Sequence, residues 1–152
     1  MICSVFGHLE IDITETLRAK TTAEIEKVIG LGCRVFFFGG FGEFDNLCYQ
    51  IVSKIKKENP SLNLERVFCV PQERYLRKKA WYFDRSDYDK VIYLTPVCEW
   101  WYKAIYYRNC AMIDESSFLI FYAENRAESG AYKAYKYAQR KKDKYIVNLW
   151  GD

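Results

Sequence analysis

Four short stretches of the sequence carry residue types that can bind an anion or assist the cleavage of a glycosidic bond. They are Gly7-His8, the run 39–45, Arg108-Asn109 and Ser129-Gly130. A pair of small residues that opens a helix lets backbone N–H groups face an anion, and an arginine can supply a guanidinium to the same anion. Arg108-Asn109 and Ser129-Gly130 therefore predict one anion site.

The run 39–45 reads GGFGEFD and follows a wholly apolar stretch of four residues. Glycine permits positive φ angles and lets a phosphate approach the backbone, while a following helix N-terminus adds partial positive charge. Gly39, Gly40 and Gly42 are therefore candidate phosphate-binding residues. A tight turn packed against a sheet is the alternative, because the spacing matches neither a Rossmann GxGxxG motif nor a P-loop.

Two carboxylates, Glu43 and Asp45, fall in the first turn of the helix predicted after these glycines. They can cap the helix, because a carboxylate accepts hydrogen bonds from the same N–H groups that would hold phosphate. Alternatively, one of them accepts a ribose hydroxyl. A carboxylate close to a ribose could also stabilise an oxocarbenium-like centre or activate water. Glu43 and Asp45 are therefore the candidate catalytic residues.

The polar side chains His8, Arg108 and Asn109 each have a ligand-binding and a structural interpretation. His8 is the only histidine, so any Ser-His or Cys-His pair must use it; it either contacts the ligand or bonds to loop backbone. Arg108 either faces a bound anion or forms an ion pair with Asp114 or another acid. Asn109 can bridge loop backbone or read a ligand edge.

The elements that must position these residues follow from the periodicity of the sequence. Short apolar runs predict strands over residues 2–6, 35–38, 64–70, 90–94, 118–122 and 145–149. Helical spacing predicts helices over residues 14–29, 43–57, 97–113 and 130–142, and a short one over 72–81. This alternation predicts an α/β fold: a Rossmann-like doubly wound, mostly parallel sheet of about six strands with helices on both faces. Such sheets bind ligands beyond the carboxyl ends of their strands.

The composition limits the remaining possibilities. A length of 152 residues fits one domain over residues 1–152, and a net charge of +3 is too small to indicate nucleic acid by itself. Six cysteines without CxxC spacing, with one histidine, argue against a metal site and fit small buried side chains. No signal peptide and no apolar run of about 18 residues is found, so we expect a cytoplasmic protein without membrane contact.

Together these residues resemble the SLOG superfamily, which joins the DNA-processing Smf/DprA proteins with the LOG cytokinin-activating enzymes. The resemblance covers nearly the whole chain. The order and spacing of the motifs are similar to those of the DprA core. It is carried by Val5-Phe6-Gly7-His8, the run 39–45, Arg108-Asn109 with Met112, Ile113 and Asp114, and Ser129-Gly130 with Tyr137-Ala138. Within the superfamily the chain looks most like the small single-domain YpsA-like proteins. The resemblance implies a Rossmann-like fold and a pocket for a nucleotide or nucleotide derivative, with Phe44 among the ligand contacts.

Two departures from the family patterns bear on the activity. The loop before Ser129 lacks the proline and double glycine of the LOG signature PGGxGTxxE, and Leu9 stands where YpsA-like proteins often carry arginine. We therefore expect a cytosolic nucleotide-binding or nucleotide-sensing domain that requires no cofactor. One alternative is a nucleotide N-glycosidase. Another is an interaction protein, either a homodimer formed through the aromatic helix around Trp100-Trp101 or a protein that binds single-stranded nucleic acid through the basic residues 74–85.

Overall fold

The apolar runs and the helical stretches alternate along the chain as strands and helices. The computed structural model describes residues 1–71, 87–94, 101–126 and 129–151, and only the backbone of residues 101 and 102. The strands in these ranges are β1 (Ile2–Gly7), β2 (Val35–Phe38), β3 (Glu65–Val70), β4 (Lys90–Tyr93), β5 (Phe118–Tyr122) and β6 (Tyr145–Asn148). The α-helices in these ranges are α1 (Glu15–Gly30), α2 (Glu43–Glu58), α3 (Trp101–Glu115) and α4 (Gly130–Gln139), and a 3-10 turn (Pro60–Leu62) precedes β3.

The strands form one parallel sheet in the order β4-β3-β2-β1-β5-β6. From β1 the chain moves strand by strand to β4, and it then returns to the other side of β1 for β5 and β6. The topological switch point of the sheet therefore lies between β1 and β5, where Gly7 is paired with Tyr122. The Rossmann-like doubly wound α/β fold predicted from the sequence is confirmed.

Two apolar layers cover the faces of the sheet. Successive side chains of a strand point to opposite faces, so Val5 of β1 packs in the layer of α1 and α2, whereas Phe6 packs in the layer of α3 and α4. Both faces of β5 are covered, and its residues Phe118 to Phe121 are buried accordingly. A strand buried on both faces reads as a continuous apolar run rather than an alternating one.

Local capping sets the helix boundaries, and the end of α4 differs from the prediction. α1 begins after Thr14, whose hydroxyl accepts a hydrogen bond from the N–H group of Leu17 at 3.0 Å. α4 ends at Gln139, three residues before the predicted end, because the N–H group of Lys141 turns back to the carbonyl of Ala138. The predicted helix over residues 72–81 and the predicted start of α3 at residue 97 lie outside the described ranges. None of the described helices combines the length and apolar character needed to cross a membrane.

The described thiols are neutral core groups. Cys3, Cys33, Cys48 and Cys69 are free and buried, and Cys110 is partly exposed. Burial raises the pKa of Cys33 to about 11 and that of Cys69 to about 12. Because the thiolate is the nucleophile and the metal-binding form, these buried cysteines are suited to packing rather than to chemistry at neutral pH.

Candidate functional site

The predicted stretches lie near the carboxyl ends of neighbouring strands. β1, β2 and β5 are adjacent and parallel, so Gly7-His8, the run 39–45 and the residues from 123 onward leave the same edge of the sheet. Arg108-Asn109 approaches this edge from α3, and Ser129-Gly130 opens α4. Ligands of doubly wound sheets bind in the crevice at this kind of switch point. The edge at β1 and β5 is therefore the candidate site.

The N–H groups of the glycine loop donate to a side chain of the protein itself. The N–H group of Gly39 donates to Oδ2 of Asp45 at 2.9 Å, and that of Gly40 donates to Oδ1 at 3.2 Å. Asp45 is only 6% exposed, so its carboxylate fastens the loop to the first turn of α2. Two donors of the expected phosphate cradle are therefore used within the chain, and phosphate binding at this loop stays a prediction.

Packing accounts for the glycines of this loop. A Cβ atom on Gly39 would lie 2.9 Å from Nη2 of Arg108. Gly40 has a φ angle of +81°, and a Cβ atom there would lie 2.7 Å from the ring of Phe68. Both positions therefore exclude a side chain for reasons of space, and the second also requires the positive φ angle that glycine tolerates. The alternative of a tight turn packed on the sheet describes these two residues.

Arg108 lies beneath the glycine loop and is 5% exposed. Its Nη1 donates to the carbonyls of Gly39 at 2.9 Å and Cys69 at 3.1 Å, while Nε and Nη2 donate to Oδ1 of Asn109. Arg108 thus joins the carboxyl ends of β2 and β3. Asp114, the alternative ion-pair partner, instead binds Lys141 at 2.9 Å. Arg108 thus supports the loop from below, and its role as a counter-charge to a bound anion stays a prediction.

The two candidate catalytic carboxylates have different surroundings. Burial raises the pKa of Asp45 to about 7, against the downward effects of the Gly39 N–H group, the Arg108 guanidinium and the Gly40 N–H group. Glu43 is exposed, and its Oε2 accepts a hydrogen bond from the N–H group of Ile11 at 2.6 Å. Both carboxylates act as caps of backbone N–H groups. A catalytic role for either one stays a prediction.

His8 connects the end of β1 to the segment between β5 and α4. Its Nε2 accepts a hydrogen bond from the N–H group of Glu124 at 2.7 Å, and its Nδ1 lies 3.1 Å from Oγ of Ser129. Oγ of Ser129 also accepts a hydrogen bond from the N–H group of Tyr132 at 3.1 Å, and so caps α4. The prediction of a loop histidine bonded to backbone describes one of these contacts, and the Ser-His pair is the other.

The amino end of α4 is open. Its first turn contains no acidic residue, and no described atom lies within 4 Å of where a Cβ atom on Gly130 would stand. The first N–H groups of a helix have no partner inside the helix, and no described residue accepts a hydrogen bond from those of Gly130 and Ala131. Within the described ranges, these two donors therefore have no hydrogen-bond acceptor.

Arg126 is a residue of the site that the sequence analysis missed. It lies on the loop between β5 and α4, its side chain is 52% exposed, and its guanidinium binds the carboxylate of Glu124 at 2.6 Å. Arg126 also acts electrostatically on the His8 ring. A cation between a buried strand and a Ser-Gly helix start is the signal that could have found it.

Aromatic rings line the same edge on the α2 side. The Tyr122 ring stacks on Phe44 with centroids 5.7 Å apart, and it packs edge-on against Trp150 at 5.6 Å. Phe44 is fully buried and lies against Gly7, where a Cβ atom would be 2.3 Å from the Phe44 Cβ. Phe44 therefore supports the end of β1, while the half-exposed Trp150 offers a ring to solvent.

A depression lies away from these residues, at the amino ends of β3 and β4. It is shallow, open and lined by Lys56, Asn63, Leu64, Glu65, Asp89 and Lys90. Its charges pair with each other, as Lys90 does with Glu65 at 3.8 Å. In the described ranges, no three side chains of histidine, cysteine or acidic residues are placed to hold a metal ion.

Comparisons with known proteins identify a similar fold. No protein-family model matches the chain, and no curated protein is significantly similar to it in sequence. The chain is similar to the X-ray structure of DNA processing protein A (DprA) from Streptococcus pneumoniae, with a TM-score of 0.60 and 13% identity. The match covers 99% of this chain and 50% of that one, so the chain spans about half the length of that protein. At this identity, the similarity concerns the fold.

Proposed function

We propose that this chain is a SLOG-type domain that binds a nucleotide or nucleotide derivative, with phosphate groups at the amino end of α4. The DprA-like fold and the motifs Gly7-His8, Arg108-Asn109 and Ser129-Gly130 support this assignment. The closer relation to YpsA-like proteins rests on the sequence resemblance. The site lies at the switch point between β1 and β5, which is where this class of sheet binds ligands.

The contrast between two helix N-termini at the same edge carries the proposal. The first turn of α2 carries the carboxylates of Glu43 and Asp45, and its Glu43 N–H group donates to the Leu9 carbonyl at 2.9 Å. The first turn of α4 carries no acidic residue, and no described residue accepts a hydrogen bond from the N–H groups of Gly130 and Ala131. A helix N-terminus with accessible donors favours anions.

The proposed contacts divide the ligand between the two sides of the crevice. Phosphate oxygens accept hydrogen bonds from the N–H groups of Gly130 and Ala131 and from the Ser129 hydroxyl, and Arg126 adds positive charge. The glycine loop supplies a wall rather than donors. The exposed carboxylate of Glu43 is the group available for a ribose hydroxyl. N-glycosidase chemistry has less support, because both Asp45 oxygens already accept N–H groups.

Calorimetric titration with AMP, ADP, ADP-ribose and NAD tests the proposal. Gly130→Asp places a carboxylate where the phosphate would bind, and an acidic residue in a first helical turn is compatible with folding. Gly130→Ala is the matched control, since its added Cβ meets open space. We expect at least one nucleotide to bind both wild type and Gly130→Ala. Its affinity for Gly130→Asp should be lower than its affinity for wild type by about tenfold or more, which is a loss of about 1.4 kcal/mol or more of binding free energy.

Two results would contradict the proposal. One is that none of the four nucleotides binds the folded wild-type protein. The other is that Gly130→Asp binds with the affinity of Gly130→Ala, which would remove the amino end of α4 as the phosphate site. Circular dichroism of the three proteins confirms that each is folded before the titrations are compared.

A further inference from the structure

His8 is the only histidine of the chain, and it bonds to both ends of the loop that leads into α4. It follows β1, accepts from the N–H group of Glu124 just after β5, and meets the Ser129 hydroxyl that caps α4. The residue is 6% exposed. His8 therefore links the two strands at the switch point to the helix end where the proposed phosphate site lies.

The two contacts of the ring determine where its proton lies. A backbone N–H group can only donate, so Nε2 of His8 must carry a lone pair to accept from Glu124. The neutral ring therefore holds its hydrogen on Nδ1 and donates it to Oγ of Ser129. For the same reason His8 cannot act as a base toward Ser129, because Nδ1 has no lone pair to accept the hydroxyl hydrogen.

This arrangement fixes the role of the Ser129 hydroxyl as well. Its oxygen accepts two hydrogen bonds, one from the Tyr132 N–H group and one from Nδ1 of His8. A hydroxyl oxygen has two acceptor positions, so both are filled and the hydroxyl hydrogen is left to point outward. Ser129 is then a donor to any group bound at the amino end of α4, and a group that itself donates is rejected there.

We propose that His8 is a positioning residue that acts through Ser129: its singly protonated ring orients the hydroxyl as a donor to an oxyanion, and a second proton at Nε2 releases the ligand. This inference rests on the proposed function and deepens it. A proton on Nε2 would face the Glu124 N–H group, so two donors would oppose each other and the contact would break. Glu124 would then lose its hydrogen bond to the residue that follows β1.

The surroundings of the ring favour its neutral form. Burial lowers the His8 pKa from its ordinary value, the cationic Arg126 lowers it further, and the Glu124 carboxylate opposes them. β5 contributes the uncharged edge of Tyr122, with ring centroids 6.3 Å apart, and α4 contributes the Ser129 hydroxyl. α2 contributes Glu43, whose carboxylate is turned to the Ile11 N–H group. The hydrogen bond from the Glu124 N–H group to His8 is therefore formed at neutral pH and breaks in acid.

Nitrogen NMR of the ligand-free protein tests the proton position directly, because a single histidine gives one set of ring signals. We expect Nδ1 to be protonated and Nε2 to be unprotonated near neutral pH, with titration below the ordinary histidine pKa of about 6.5. A neutral ring protonated on Nε2, or a pKa at or above the ordinary value, would overturn the inference. This arm needs no ligand, so its result is separate from the fate of the proposed function.

Binding of ADP-ribose tests the consequence for the site, since its diphosphate does not titrate in the range where histidine does. His8→Gln is the control, because its amide oxygen can accept from Glu124 and its side chain has no titration. We expect wild type to lose affinity as the pH falls from about 7.5 to about 5.5, by less than about tenfold because the His8 pKa lies below its ordinary value of about 6.5, while His8→Gln loses less. Equal pH dependence in the two proteins, or none in wild type, would refute the role of His8. If folded wild type does not bind ADP-ribose at all, the proposed function fails, and the NMR arm alone decides the proton position.

Discussion

Replacement of Asp45 by asparagine should change how the stability of the protein depends on pH. Burial raises the pKa of Asp45 from 3.8 to about 7 in the folded protein. Between these two values the folded protein holds a proton that the unfolded chain has released. By linkage, the contribution of Asp45 to stability is greatest below about pH 4, declines as the pH rises, and is lowest above about pH 7.

The size of the effect follows from the pKa change. Each pKa unit corresponds to about 1.4 kcal/mol, so a shift from 3.8 to about 7 corresponds to roughly 4 kcal/mol. The raised pKa is a net effect, because the N–H groups of Gly39 and Gly40 and the Arg108 guanidinium already oppose burial by favouring the charged form. Between about pH 4 and about pH 8, wild type should therefore lose up to roughly 4 kcal/mol of stability relative to Asp45→Asn.

Urea unfolding of both proteins across this pH range measures the difference, in which the other titrating groups cancel. Asp89→Asn is a control of opposite sign, because its hydrogen bond with Arg66 lowers the Asp89 pKa, and its contribution is lost as the pH falls. Parallel curves for wild type and Asp45→Asn would refute the reasoning. A gain of wild type over Asp45→Asn with rising pH would mean that Arg108 and the loop N–H groups outweigh burial.

Three further substitutions test the packing and the capping of the site. Arg108→Met should destabilise the protein by about 3–5 kcal/mol in urea unfolding, because the buried carbonyls of Gly39 and Cys69 lose their donor. Arg108→Lys should recover only part of this loss. A loss below about 1 kcal/mol for Arg108→Met would contradict the structure. Gly40→Ala should lower the free energy of unfolding by about 1–3 kcal/mol, since the added Cβ atom strains a positive φ angle and meets Phe68. Gly130→Ala should be within about 0.5 kcal/mol of wild type. Equal thermal shifts for the two variants would be inconsistent with the loop geometry. Ser129→Ala should remove the cap of α4, cost about 1 kcal/mol, and weaken nucleotide binding at every pH; unchanged stability in the same assay would argue against the cap.

Much of the fold could be predicted because local patterns encode it. The strand over residues 35–38 is apolar throughout, which is typical of a strand covered on both faces, and Val35–Phe38 is the strand observed. Ser129-Gly130 predicts a helix start, and Ser129 is the observed cap of α4. The end of α4 was harder to predict, because residues 140–144 are polar and hold no glycine or proline to mark a stop.

The internal bonds of the site depend on contacts between distant parts of the chain, which no local pattern encodes. The glycine loop suggests a phosphate cradle only while its N–H groups have no other partner, and Asp45 turns out to be that partner. Arg108 reaches the Gly39 carbonyl across 69 positions of sequence, and His8 reaches Ser129 across 121. The sequence therefore indicates which residues come together, but it does not indicate which donor bonds to which acceptor.

The central claim is that phosphate binds at the amino end of α4 rather than at the glycine loop. Backbone amide NMR during titration with ADP-ribose tests this most directly, because it observes each N–H group separately. We expect large, saturable shifts at Gly130 and Ala131, with small changes at Gly39 and Gly40, whose N–H groups stay bonded to Asp45. Large shifts at Gly39 and Gly40 with none at Gly130 would contradict it.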